Sequence, residues 1–168
     1  MTQGGMAVRV GLGYDAHRFS PERPLVLGGV RFRETNGLEG HSDADVVVHA
    51  VMDALLGAAG LEDIGHYFPS SSPAYEGVDS LMLLEKVARM LKDGGWTVSN
   101  VDVVVICEAP RISRHRAAMR KAMADTLGVE PSQVGVRGTT TEGMGFTGRR
   151  EGIAAQAVAL VERTWQTE

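Results

Sequence analysis

Val8-Arg9-Val10-Gly11-Leu12-Gly13-Tyr14-Asp15-Ala16-His17 opens with an alternating apolar pattern that predicts a strand, and the strand runs on into an acid and an imidazole. Asp15 and His17 are two residues apart, so on a strand their side chains leave the same face. A carboxylate oxygen and an imidazole nitrogen fixed on one rigid face are good zinc ligands. A catalytic zinc takes three protein ligands and keeps one position open. Taken alone Asp-x-His is common, so the pair needs a third ligand from elsewhere in the chain.

Downstream, Gly28-Gly29 between short apolar runs predicts a hairpin over Pro24–Phe32. A helix is predicted to start near His41–Asp45. Ser42 is read as its N-cap and Asp45 as the capping-box partner three residues on, and Val46 to Ala59 is apolar nearly all round. The segment from Asp63 to Ser72 reads as a loop. Asp79 caps a second helix with a Leu84, Val87, Leu91 stripe, which Gly94-Gly95 ends. Val101 to Cys107 reads as a central strand covered on both faces. A third helix is expected from Ser113 to Leu127 and a short strand over Val134–Arg137. A closing helix is expected from Gly152 to Trp165, with Ile153, Ala157, Leu160 and Val161 on one face. The fold class expected is α+β, with one mixed β-sheet, helices packed on one side, and a single domain spanning 1–168.

Composition narrows the function. With 168 residues the chain can bury a core without staples. Its single cysteine, Cys107, rules out an internal disulfide framework and points to the cytoplasm. Met1 to Arg9 lacks the apolar region of a secretory leader, and no apolar run approaches the ~20 residues of a membrane helix. A formal net charge of −4 argues against nucleic-acid binding by bulk electrostatics, so an anionic ligand must be met by local groups.

His49, in the apolar helix, is the natural third ligand, although a lone histidine there is more often a hydrogen-bonded core residue. Asp45, His49 and Asp53 recur at four-residue spacing, so either carboxylate could accept the other imidazole N–H. His41 and Ser42 stand at the expected helix start, where free N–H groups favour anions. Thr139-Thr140-Thr141-Glu142 lies between Gly138 and Gly143. Its hydroxyls can hold phosphate oxygens and Glu142 a second hard cation, or it is simply a Thr-rich turn with a solvated acid. Of the basic set Arg111, Arg114, Arg116, Arg120 and Lys121, only Arg111 beside Pro110 is well placed for a site.

Five ordered blocks resemble the 2-C-methyl-D-erythritol 2,4-cyclodiphosphate synthase family: Gly13 to Phe19, His41 to Ala50 followed by Asp53 to Ala59, Asp63-Ile64-Gly65 with Phe68-Pro69, Glu108-Ala109-Pro110, and Thr139 to Glu142 with Gly145 to Arg149. The likeness runs from about Val8 to Val161. It implies an enzyme of the non-mevalonate isoprenoid pathway that converts 4-diphosphocytidyl-2-C-methyl-D-erythritol 2-phosphate into the cyclic diphosphate and releases CMP. The substrate's own 2-phosphate would attack the β-phosphorus, so catalysis would be positioning and charge stabilisation.

The resemblance further implies Zn²⁺ on Asp15, His17 and His49, and Mg²⁺ or Mn²⁺ on Glu142 against the diphosphate. His41 and Thr140 would stabilise the transition state. Asp63, Ile64 and Gly65 with Phe68, Pro69, Ser70, Ser71 and Ser72 would hold the erythritol. Cys107, Glu108, Ala109, Pro110, Arg111, Ile112 and Ser113 would form the cytosine pocket. It implies a homotrimer with sites between subunits and a central cavity that can hold isoprenoid diphosphates, where Phe146 and Arg149 would stand. The chain departs from the family pattern at Ser70 and Ser72 (often Asp), Gly143 (often Lys), Arg111 (commonly Lys) and Arg150 (commonly Gly). Two rival readings are a zinc-dependent phosphoesterase, which would put solvent oxygen into product, and a non-catalytic isoprenoid-phosphate-binding trimer with structural zinc.

Overall fold

The structure is a computed structural model that describes residues 5–165; residues 1–4, on which part of the leader reading rests, and 166–168 lie outside it. Strands β1 (Gly5–Leu27), β2 (Val30–Leu38), β3 (Thr97–Ile106), β4 (Val134–Thr139) and β5 (Gly152–Trp165) form one sheet in the order β2-β1-β5-β3-β4. Only β3 and β4 run parallel, joined through helix α4 (Arg116–Leu127); the other neighbours are antiparallel. Helices α1 (Val46–Ala59) and α3 (Ser80–Asp93) complete the layer on one side of the sheet, with short helices α2 (Ile64–Tyr67) and α5 (Gly145–Gly148) at its margin. The mixed sheet with one-sided helices is therefore as expected. No helix among the described residues is long and apolar enough to cross a membrane.

The first strand follows from its residues. Gly11, Gly13, Asp15 and His17 share the face toward α1, and Val8, Val10, Leu12 and Tyr14 share the other. A methyl group at Gly11 would lie 1.9 Å from the Ala54 carbonyl oxygen, and one at Gly13 1.9 Å from that of Ala50. Helix α1 thus sits with its backbone almost against the strand, and Ala50, Ala54 and Ala58 leave the room it needs. At the hairpin, Leu27 pairs with Val30 across Gly28 and Gly29, both at positive φ, as a two-residue turn requires.

Several local expectations are corrected. Residues 152–165 form a strand, not a helix. Ala155, Ala157, Ala159 and Val161 are buried while Gln156, Val158 and Glu162 are not, a period of two that alanine's helix preference masked. Small side chains are needed there because α1 also lies over β5. The cap of α1 is Asp45, not Ser42. Its fully buried carboxylate accepts from the N–H groups of Val47 and Val48 at 3.1 Å, and from Gly28 and Gly29 at 2.9 and 2.7 Å. Helix α4 starts at Arg116 after a 3₁₀ turn over Ile112–Arg114, because His115 is not yet helical. The expected 63–72 loop contains α2, capped by Asp63. Strand β3 is interior but covered on one face only: Val101, Val103 and Val105 are buried, while Asp102, Val104 and Ile106 are half-buried.

The face of the sheet away from the helices is apolar and bare in the single chain, with Val10 64% and Leu12 61% exposed. The helix-facing side is tightly constrained instead. Gly13→Ala is expected to lower stability by about 1–3 kcal/mol, the range for overpacked cores. Gly57→Ala, with nothing within 4 Å of the new methyl, should be neutral or gain up to ~1 kcal/mol from helix propensity. Urea midpoints of the two variants check this. Equal midpoints would mean that α1 is not held at this distance.

Candidate metal centre and substrate cavity

Strand and helix run antiparallel here, so passing from Gly11 to Gly13 to Asp15 passes back along α1 from Ala54 and Ala58 to Ala50 and then His49. The imidazole is thereby set over the Asp15–His17 pair. Asp15 Oδ2 lies 2.8 Å from His17 Nε2 and 3.0 Å from His49 Nδ1, and the two nitrogens are 3.2 Å apart. Among the described residues these are the three acid or imidazole groups that converge closely enough to share an ion. Bonds of roughly 2.0–2.1 Å to a tetrahedral zinc place neighbouring donors about 3.3 Å apart. The three separations are close to that edge, so the donor set fits.

Charge follows geometry. Burial works to raise the Asp15 carboxyl, but hydrogen bonds and charge from His17 and His49 outweigh it and hold the group well below the usual carboxylate range. Burial likewise opposes charge on His17. The hydrogen bond to Asp15, the Asp15 charge and a hydrogen bond to the Glu39 backbone prevail, and its pKa lies above 6.5. The far nitrogen of His49 does not reach a carboxylate, contrary to expectation. Asp45 is spent on four backbone N–H groups, and Asp53 accepts from Ile64 N at 2.9 Å. His49 Nε2 faces the hydroxyls of Ser42 at 3.1 Å and Ser80 at 3.0 Å instead.

Above the cluster lies a cavity of about 220 Å³ whose lining includes Asp15, His17, His49, His41, Ser42, Ile64, Gly65, Phe68 and Ser70. Met52, Tyr75 and Leu83 complete its apolar wall; nothing in their spacing singled them out. Arg23, also missed, donates to the carbonyls of Gly40 and Ser42 and so clamps the backbone on either side of His41. The His41 ring reaches the Ser72 carbonyl, Nε2 to O 2.8 Å, tying the first loop to the second. The expected anion site at the helix start is overturned, because the Asp45 carboxylate already occupies those N–H groups. Pro69, Ser71 and Asp63 do not line this cavity; the Asp63 carboxylate caps α2 and faces a separate hollow with Asp53 and Glu62.

A second cavity, about 380 Å³, lies at the ends of β3 and β4. Cys107, Glu108, Pro110, Arg111, Ile112, Ser113, Thr139 and Thr140 line it, with Arg116 added and Ala109 beside it. The Glu108 carboxylate accepts from Thr141 N at 3.1 Å and joins the two loops. The Thr141 hydroxyl is turned inward to Met144 O and Thr147 Oγ1. Glu142 is exposed at a φ of +54°. Burial, with the charge of Glu108 adding to it, pushes the Cys107 thiol up to about 11, which leaves it inert at neutral pH. No residue lines both cavities, so within one chain the metal cluster and the 107–113 segment are not brought together. Phe146 lines a third, shallow hollow with Ala16, His17 and Arg18, while Arg149 pairs with Glu151 at 2.7 Å.

Metal uptake must displace protons from the cluster. Because the folded pKa of His17 lies above 6.5, the ring is still protonated somewhat above that pH. Zn²⁺ affinity, read by chelator competition, is expected to fall as pH drops through this range, with a proton released on binding. In the metal-free protein the same shift stabilises the fold fully below pH 6.5 and less as pH rises through the raised value. Asp15→Asn should weaken Zn²⁺ at every pH and, by removing the charge that raises the His17 pKa, move the fall in affinity to lower pH. A pH-independent affinity would remove His17 from the ligand set.

The sequence profile of the YgbB family matches residues 8–162. A 2-C-methyl-D-erythritol 2,4-cyclodiphosphate synthase from Rubrobacter xylanophilus is 63% identical over 158 residues, covering 92% of this chain and 95% of the relative. The bifunctional IspDF of Campylobacter jejuni superposes with a TM-score of 0.91 at 36% identity over 95% of this chain, which spans 43% of that longer one. IspF of Plasmodium falciparum in its CDP complex gives 0.81 at 32% identity, covering 92% of this chain and 95% of that one. With a metal-fitting Asp-His-His cluster inside this fold and likeness along nearly its whole length, the chain belongs to the YgbB family of 2-C-methyl-D-erythritol 2,4-cyclodiphosphate synthases.

Proposed function

We propose that the chain, acting as one domain in the cytoplasm, converts 4-diphosphocytidyl-2-C-methyl-D-erythritol 2-phosphate into 2-C-methyl-D-erythritol 2,4-cyclodiphosphate and CMP. This is a phosphorus–oxygen lyase step of the non-mevalonate isoprenoid pathway. The observation that carries the reading is the converging Asp15–His17–His49 donor set at the floor of a cavity with an apolar wall. A structural zinc is closed by four protein ligands, whereas three leave a position for a phosphate oxygen.

Zn²⁺ on Asp15, His17 and His49, and Mg²⁺ or Mn²⁺ on Glu142, would supply charge stabilisation to the phosphoryl groups when bound. The chain's own residues do the positioning. His41, held by the Arg23 clamp, stands on the lining of the metal cavity, and Thr140 stands on that of the second cavity; Thr140 offers a hydroxyl to developing negative charge, and His41 offers its Nε2–H by releasing the Ser72 carbonyl. Ile64, Phe68 and Tyr75 keep water from the reacting phosphates, and Ser70 offers a hydroxyl to the erythritol. The 107–113 segment takes the cytosine. The nucleophile is already in the substrate, so no side chain is needed in that role. Run in ¹⁸O-water with Mg²⁺, the products should carry no solvent label. Label in CMP or in a ring-opened product would instead favour a zinc phosphoesterase.

The working form is a homotrimer with the site shared between neighbours. Two observations support it: the bare apolar sheet face carrying Val8, Val10, Leu12, Tyr14 and Val158, and the separation of the two cavities within one chain. Phe146 and Arg149 would face a central isoprenoid diphosphate, which must displace Glu151 from Arg149 to be bound. His49→Ala and Glu142→Ala are then defects on opposite halves of each site, and each homotrimer should be nearly dead. Co-refolded in equal amounts, they should recover about a quarter of the sites, one-half times one-half at each cyclic interface. Mixed trimers that stay inactive would put both halves of the site in one chain.

A further inference from the structure

The contacts of His49 go beyond its place as a ligand. Ser80 is the first residue of α3, completely buried, and its hydroxyl donates to Asp43 Oδ1. Asp43 accepts from two backbone groups as well: Ser80 N reaches Oδ2 at 3.0 Å and Asp45 N reaches Oδ1 at 3.2 Å. A carboxylate receiving three hydrogen bonds has no proton to return, so the single Ser80 proton is committed to Asp43. The contact of Ser80 Oγ with His49 Nε2 at 3.0 Å can then be a hydrogen bond in one sense only, with the imidazole N–H donating.

The Ser42 hydroxyl lies 3.1 Å from the same nitrogen and already accepts from Ala44 N at 3.2 Å. Were Ser42 to donate into Nε2, that nitrogen and Ser80 Oγ would face each other with lone pairs in a site where His49 is only 8% exposed. Such a buried mismatch costs more than the bond would gain. Both hydroxyls therefore accept, and Nε2 carries the hydrogen. Nδ1, the nitrogen turned to Asp15 and His17, is then the one that can give its lone pair to a metal, once the ion takes the place of its hydrogen bond to Asp15.

We propose that Ser80, oriented by Asp43, is a positioning residue that locks His49 in its Nε2–H tautomer and so presents Nδ1 to the metal. The proposal rests on the metal reading of the Asp15–His17–His49 cluster. A hydroxyl–carboxylate pair here takes the part that a directly bonded carboxylate plays behind many zinc-bound histidines. Its carboxylate comes from the 41–45 loop and its hydroxyl from α3, so the ligand is oriented by two elements outside its own helix.

The test is ring ¹⁵N NMR of the full chain together with Zn²⁺ competition against a chelator. In the zinc-bound parent the His49 ring shifts should report a hydrogen on Nε2 and the metal on Nδ1; a zinc-bound ring with its hydrogen on Nδ1 overturns the proposal whatever any variant does. Ser80→Ala keeps the α3 backbone N–H groups. It should weaken Zn²⁺ by about 10- to 100-fold, the usual cost of losing such a partner, and let the His49 tautomers mix. Parental Zn²⁺ affinity in Ser80→Ala also overturns it. His49→Ala separates the two failures. Loss of Zn²⁺ there with parental affinity in Ser80→Ala defeats this proposal alone, while parental affinity in His49→Ala defeats the metal reading and the proposal with it.

Discussion

The contact on which the rest depends is the near-touching of two backbones, α1 on β1 at Gly11 and Gly13. No side chain separates them, so the helix can slide neither toward nor along the strand without meeting a carbonyl of Ala50 or Ala54. Interiors at native density transmit such constraints rather than absorbing them. At the end of the same contact His49, the residue before Ala50, is delivered to Asp15 and His17 at hydrogen-bond distance. The precision of the metal cluster is thus a by-product of two missing side chains.

The second layer of control is polar and comes from loops. Asp45 joins the hairpin turn to the start of α1, Asp43 joins the 41–45 loop to α3, and Arg23 holds the carbonyls that flank His41. Each replaces solvent with a charge-assisted hydrogen bond inside a crowded region, where an unpaired partner would be costly. The loop that carries His41 is therefore fixed from three directions, which suits the positioning role proposed for it.

Much of this was legible beforehand. The Asp15–His17 spacing, the hairpin at Gly28-Gly29 and the Asp79 cap are local signals, written within a few residues, and the structure contains all three. The last strand was not legible, because Ala155, Ala157 and Ala159 are small for the sake of a helix about a hundred residues earlier in the chain, and alanine by itself speaks for a helix. The partner of His49 failed for a similar reason. Spacing on α1 offered Asp45 and Asp53, but Ser80 lies 31 residues away and reaches the ring only through the packing of α3 on α1. Spacing within an element names neighbours; it does not reveal which of them has already been claimed by a backbone N–H.

Strand β1 carries two unrelated texts in alternate letters. From 8 to 17 its odd-numbered positions include the glycines that admit α1 and the acid and imidazole of the cluster, while the even ones carry an apolar sheet surface. Inserting or deleting one residue in this stretch would exchange the two sets across the sheet. Val and Leu would be driven into the helix backbone, and the acid and imidazole would be turned onto the bare face. Drift in this lineage can therefore proceed here by substitution but scarcely by changes of length.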